Sequence, residues 1–326
     1  MKFLIIGCGS IGRRHIANLK SLGEEIIASD VLIEHRNWVE ANLAIKTFEN
    51  VGVALHQKPD VVLICTPPSM HISLAKLAVE AGAHAFIEKP LSHTLDGISE
   101  LEVAVKKANV KVAVGYNLRF NKGLKAVKEI LDSGEIGKAL SARIVFGQYL
   151  PTWRPWQDYK KSYTASKSLG GGIILDGSHE LDYSRWLLGE VLEVNCVAQK
   201  VSDLEVETED LAEITLKFKT GAIANVHLDF INHKYTRNCE LIGEKGTIKW
   251  DYASGIIEVF LEANKQSKVK TIVSDPNETY LEEIKHFIDC IKEDKMPLVN
   301  LEEGKKSLIV ALAAKKSAEE KKTIKL

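Results

Sequence analysis

The chain has almost no excess of charge of either sign. Its 43 lysines and arginines stand against 44 aspartates and glutamates, a formal net charge of −1 over 326 residues. That balance speaks against a nucleic-acid partner, whose phosphates select basic surfaces. No apolar run approaches the roughly 20 residues that a membrane-spanning helix needs, so no membrane association is expected. The apolar opening Met1-Lys2-Phe3-Leu4-Ile5-Ile6 is too short for a secretory signal and runs straight into a glycine turn. Cysteine is scarce: Cys8, Cys65, Cys196, Cys239 and Cys290 are odd in number, and none forms a CxxC pair. They read as small apolar fillers in a reducing compartment, which predicts a cytoplasmic protein. Apolar residues, in contrast, make up an ordinary 45%, and the length suits two domains.

The first of these opens with a strand-like run, Phe3 to Ile6, followed at once by Gly7-Cys8-Gly9-Ser10-Ile11-Gly12 and a helical pattern. Strand, glycine turn and helix are the setting in which this motif binds a dinucleotide. Gly7 permits the tight turn, Gly9 lets the backbone approach a pyrophosphate, and Gly12 allows close helix–sheet packing. The helix start offers unpaired N–H groups to the phosphates. The next strand, Glu25 to Ser29, ends at Asp30, about twenty residues after the glycines. A carboxylate there accepts ribose hydroxyls and repels a 2′-phosphate, so NAD is expected over NADP. Arg36 lies near enough to compete for a phosphate. Strands and helices then alternate through Val61–Ile64, which Thr66-Pro67-Pro68 ends sharply, and on to Val114. These repeats predict a mostly parallel sheet.

Within that pattern, Ala85-Phe86-Ile87 runs into Glu88-Lys89-Pro90. A lysine directly after an apolar strand is costly unless the strand ends in a polar cleft. Ligands of open α/β sheets sit beyond the carboxyl ends of the strands, which makes Lys89 the first candidate for chemistry.

After about Arg119 the pattern changes to short strands with alternating polarity, such as Ala212 to Phe218. This predicts an α+β domain built on a sheet with one solvated face. Gly243-Glu244-Lys245-Gly246 reads as a hairpin turn, and Asn300 as the cap of a last helix, with Glu303 as its partner. The stretch from Tyr149 to Gly189 carries Trp153, Arg154, Asp158, Tyr159 and Tyr163. Gly170-Gly171-Gly172, Asp176, His179 and Glu180 follow. Aromatic faces and hydrogen-bond donors suit a carbohydrate. Arg154 is the natural partner of a carboxylate or phosphate, which would favour a charged sugar derivative. Asp176, His179 and Glu180 stand three and four apart and would share one face of a helix. A zinc site would need further histidine or cysteine ligands that the neighbourhood lacks, so no metal is expected and acid–base work is favoured.

These motifs together resemble the Gfo/Idh/MocA family of NAD(P)-dependent sugar oxidoreductases over essentially the whole length. The markers are Gly7 to Gly12, Thr66-Pro67-Pro68-Ser69-Met70-His71, Glu88-Lys89-Pro90, and the glycine run with Asp176 and His179. The resemblance implies a Rossmann-type dinucleotide domain over 1–118. A substrate-binding and oligomerisation domain would follow over 119–326, built on an open, mostly antiparallel sheet that assembles a homodimer or homotetramer. It implies catalytic roles for Lys89, Asp176 and His179. It implies cofactor contacts from Gly7, Gly9, Ser10, Ile11, Gly12, Asp30, Thr66, Pro67, His71, Glu88, Lys89 and Pro90. Arg154, Tyr159, Tyr163 and Glu180 are the expected substrate contacts. The family pattern sets its histidine four residues after the aspartate, whereas here His179 is three residues on and Glu180 four. The choice between them stays open, and the variant resembles a branch linked to bacterial surface sugars. The expected reaction is hydride transfer between NAD(H) and a secondary hydroxyl of a sugar, sugar derivative or cyclitol. A non-catalytic NAD(H) or sugar-nucleotide sensor is the alternative.

Overall fold

A computed structural model describes residues Met1–Leu326. The chain divides into two compact units: Met1–Tyr116 with Thr279–Lys306, and Asn117–Glu278 with Ser307–Leu326.

The first unit contains β1 (Lys2–Ile6), β2 (Glu25–Ser29), β3 (Thr47–Phe48), β4 (Val61–Ile64), β5 (His84–Glu88) and β6 (Val112–Gly115). They pair in parallel in the order β3-β2-β1-β4-β5-β6. The order reverses between β1 and β4, and a ligand crevice opens at such a reversal beyond the strand ends. β4 and β6 are buried at every residue, as continuous apolar runs require when both faces are covered. Helices α1 (Ser10–Ser21), α2 (Ile33–Leu43), α3 (Val51–Leu55), α4 (His71–Glu80) and α5 (Ile98–Ala108) connect them.

The sequence reading cut the chain once, after residue 118. The segment Thr279–Lys306 instead belongs with the first unit. Its helix α9, part of Pro276–Lys292, places Ile284, Phe287 and Ile288 in one core with Phe3, Ile5 and Phe86. Residues spaced three and four apart on one helical face make that burial possible.

The second unit contains α6 (Lys122–Asp132), α7 (Ile173–Asp176), α8 (Ser178–Leu188) and the greater part of α10 (Leu301–Glu320). Its strands are β7 (Ala139–Gly147), β8 (Val191–Gln199), β9 (Leu211–Phe218), β10 (Ile223–Asp229), β11 (Thr236–Gly243), β12 (Gly246–Asp251), β13 (Ile256–Leu261), β14 (Gln266–Thr271) and β15 (Ile324–Lys325). They form one sheet, β14-β13-β12-β11-β7-β10-β9-β8-β15, antiparallel except where β7 pairs with β10. Burial alternates residue by residue along β9, as a half-solvated sheet demands. The expected hairpin joins β11 to β12, and Asn300 accepts the Glu303 N–H at 3.0 Å as a cap.

On the open face of this sheet His227 lies between two carboxylates, 2.6 Å from Glu213 and 2.9 Å from Asp229. Its pKa is pushed up from the ordinary 6.5 to about 9, first by Asp229; burial opposes the rise and Glu213 adds to it. A raised folded-state pKa means that the charged form stabilises the fold. This contribution is full below the ordinary 6.5 and fades as pH climbs towards about 9. The expected result is a melting temperature that declines over that window, with the decline flattened in His227→Gln. Parallel pH profiles for the two proteins would sink this account.

Candidate functional site

In the first unit, β1 ends at Gly7, whose φ of +97° is open to glycine at little cost. A Cβ there would lie 2.6 Å from the Cys65 carbonyl oxygen, and one on Gly12 would lie 1.9 Å from the Gly7 oxygen. A Cβ on Gly9 would meet nothing within 4 Å. Gly9 caps α1 with no side chain, and the first turn of α1 holds no acid. The helix N-terminus thus keeps its N–H groups and its partial positive charge for an incoming anion. A pyrophosphate fits this open cradle.

Asp30 closes the turn from the side. Its Oδ2 accepts the Cys8 N–H at 2.7 Å, and its Oδ1 accepts the Leu32 N–H at 2.8 Å. His35 lies 3.0 Å from the same Oδ2. Arg36, the sequence's rival for a phosphate, is committed elsewhere. Its guanidinium donates to the carbonyls of Asp30 and Val31 and to Glu49. The charge nearest a ribose is therefore negative. NAD(H) is expected to bind at least about tenfold more tightly than NADP(H), or about 1.4 kcal/mol. Asp30→Ala should narrow that ratio in paired titrations, and equal affinities in the unmodified protein would defeat the assignment.

Beyond β4 and β5, His71 ties two turns together, with Nε2 2.8 Å from the Thr66 oxygen and Nδ1 2.9 Å from the Pro90 oxygen. Burial pushes its pKa below the ordinary value, and the two carbonyls offset this only in part. Both carbonyls accept, so the two contacts together call for hydrogen on both ring nitrogens, and the ring braces the two loops. The Lys89–Pro90 peptide is cis. Glu88, expected among the cofactor contacts, turns into the interior. Its Oε1 lies 2.7 Å from His15 Nε2, and its Oε2 accepts the Lys89 N–H at 3.2 Å. The strand is buried to its end, so the carboxylate takes a buried partner and steadies the Lys89 backbone from beneath.

In the second unit the three glycines form a tight approach to α7. Gly172 has φ +109°, and a Cβ on it would lie 2.4 Å from Glu209 Oε1. Glu209 caps the start of α7 twice: its backbone oxygen accepts the Ile173 N–H at 3.1 Å and its Oε1 the Ile174 N–H at 3.3 Å. Burial raises its pKa, with Lys315 pulling the other way. At the end of α7, Asp176 accepts the Tyr163 hydroxyl at 2.6 Å. Burial, and then the Asp176 charge, hold that phenol well above its ordinary pKa, so it stays a donor. Tyr163, expected to touch substrate, is thus directed at Asp176.

Gly177 separates α7 from α8, so Asp176 lies on one helix and His179 and Glu180 on the next. His179 lies in the first turn of α8, 8% exposed. Glu180 is fully buried and pairs with Arg237 Nε at 2.8 Å. Glu180, expected as a substrate contact, is a carboxylate with no exposed surface, bound to a largely buried guanidinium. Asp182 likewise receives Arg119 through two 2.8 Å bonds and Ser307 through a third. No group of three or more His, Cys, Asp or Glu side chains is placed to hold a metal ion. Arg154 and Tyr159 line a small cleft with Leu150, Trp153, Gln157 and Ser162.

Sequence reasoning missed Glu209, Arg237 and His15. Only His15 carried a signal, as a histidine on the buried face of α1 beside Gly12, Ile16 and Leu19.

An uncapped helix after a glycine turn, at the reversal point of a parallel sheet, defines a dinucleotide-binding domain. Residues 1–116 match the model of an oxidoreductase family with an NAD-binding Rossmann fold, and residues 124–249 match a GFO/IDH/MocA C-terminal domain. The chain belongs to the Gfo/Idh/MocA family of NAD-dependent oxidoreductases. A myo-inositol 2-dehydrogenase of Thermotoga maritima is 32% identical to it, over 100% of this chain and 98% of the relative. The scyllo-inositol 2-dehydrogenase (NAD(+)) of Bacillus subtilis is 26% identical over 96% and 92%. Among solved structures, a probable dehydrogenase from Thermotoga maritima superposes with a TM-score of 0.83 at 29% identity, covering 100% of this chain and 98% of the other.

Proposed function

We propose that the protein reversibly oxidises a secondary hydroxyl of a cyclitol, sugar or sugar derivative with NAD. The observation that carries this is the open, uncapped N-terminus of α1 beside Asp30, in the same unit and at the same sheet edge as Lys89. The inositol dehydrogenases among its relatives support the substrate class. Bound NAD would supply the hydride acceptor. Lys89 would stabilise the negative charge that develops on the hydroxyl oxygen. In the second unit, neutral His179 would take the hydroxyl proton. Asp176, held by Tyr163, would orient the imidazole or bind a neighbouring hydroxyl.

We place the enzyme in the cytoplasm, as a homodimer or homotetramer. Its five cysteines are free, buried thiols, and Val197 and Ile223 are exposed apolar residues on its sheet strands β8 and β10. The test is NADH formation from NAD+ with a panel of cyclitols, sugars and nucleotide sugars. Growth of NADH absorbance with a member of the panel is expected. Tight NADH binding without turnover of any member would favour the sensor.

A further inference from the structure

Arg154 carries a guanidinium for which the described residues supply no hydrogen-bond or ion-pair partner, and it is only partly exposed. The backbone that carries it is held all the same. The Arg154 carbonyl accepts the Gln157 N–H at 2.9 Å. Trp153 beside it is anchored by its indole N–H to the Gln148 oxygen at 2.9 Å and by ring contacts to Phe146 and Phe230. The acids of this region are engaged elsewhere. Asp158 accepts the Lys160 N–H, Glu205 pairs with the Lys160 ammonium, and Glu207 accepts from Ser166 and Lys167. The Arg154 charge also reaches Tyr163, whose phenolate form it favours against burial. Tyr163 donates to Asp176. An arginine whose backbone is held, left without an anion on a cleft wall and one phenol away from Asp176, lacks only its partner.

We propose that Arg154 binds a carboxylate or phosphate group of the substrate, so that the substrate is an acidic sugar or cyclitol derivative. This rests on the dehydrogenase reading above and narrows it. The planar guanidinium presents paired donors that match the paired oxygens of either anion. The Trp153 and Tyr159 rings in the same cleft offer faces for sugar C–H groups.

The test uses the full chain loaded with NADH and follows tryptophan fluorescence on titration with D-glucuronate, D-glucose 6-phosphate, D-glucose and myo-inositol. At least one acid is expected to bind about tenfold or more tightly than D-glucose, and added salt should weaken the acid selectively. Preference for the glucuronate assigns a carboxylate, and preference for the phosphate ester assigns a phosphate. Arg154→Gln should bring acid and neutral sugar to parity, and Arg154→Lys, which keeps the charge and loses the fork, should fall between. Equal affinities for acid and neutral sugars in the unmodified protein, no saturable binding by either acid, or a preference that survives Arg154→Gln would each overturn the proposal. NADH formation from NAD+ with the same compounds scores the dehydrogenase reading separately. Turnover of myo-inositol or glucose without acid preference would keep that reading and end this one.

Discussion

Replacing Lys89 by alanine is expected to lower kcat by about 10²–10⁴-fold, the range in which a lost proton-transfer or charge-stabilising group is felt. The backbone around Lys89 gives this test its sharpness. Glu88 holds the Lys89 N–H, and His71 holds the Pro90 carbonyl. Neither contact uses the lysine side chain, so truncation removes the ammonium and leaves the turn in place. The glycine turn and Asp30 are untouched, and the NADH dissociation constant should stay within roughly a factor of two. A fall in kcat and kcat/KM by the same factor would mark an interaction made only in the transition state. A variant with near wild-type kcat on the true substrate would remove Lys89 from the chemistry.

Glu180→Ala is expected to act on stability, by about 3–5 kcal/mol at most, because it strands a largely buried arginine charge. Burial works most strongly against the charged form of Arg237; Glu180, joined by Tyr235, Tyr183 and Tyr252, outweighs it and holds the guanidinium charged. Arg237 also stacks 4.3 Å from the centre of the Phe146 ring, so little water can reach it once its partner is gone. For a unit of this size the loss corresponds to a melting temperature lower by roughly 6–20 °C. The same variant decides between Glu180 and His179. If Glu180 were the proton acceptor, kcat per folded enzyme would collapse in addition to the fall in melting temperature. His179→Ala should show the opposite pattern to Glu180→Ala, with activity lost and the fold retained.

The elements that could be read from the chain are those whose burial leaves a period. β4 and β6 are unbroken apolar runs, and β9 alternates. β14 could not be read, because all six of its residues are exposed and its lysines suit an unprotected sheet edge. α2 escaped for a related reason, since Val39 is its one buried residue. The motif residues of the site were legible because glycines and a strand-end lysine have few other uses. The direction of its acids was not. Glu180 finds Arg237 57 positions away, and Glu88 finds His15 at a separation of 73. Local spacing says nothing of such partners. It also assumed an unbroken helix across Gly177, where a Cβ would lie 2.8 Å from the Ile173 oxygen.

The return of Thr279–Lys306 to the first unit bears on how the chain is made. β1 to β6 have all left the ribosome soon after Tyr116 is added, yet Ile284, Phe287 and Ile288 of their core come much later. So do the Val299 carbonyl that accepts the Val114 N–H and the Lys305 that pairs with Glu102. At roughly 5–20 residues per second, the interval between Tyr116 and Thr279 lasts on the order of ten seconds. Throughout it the nascent sheet carries uncovered apolar surface of the kind chaperones hold. The dinucleotide-binding half, first in the sequence, is therefore among the last parts of the molecule to be finished.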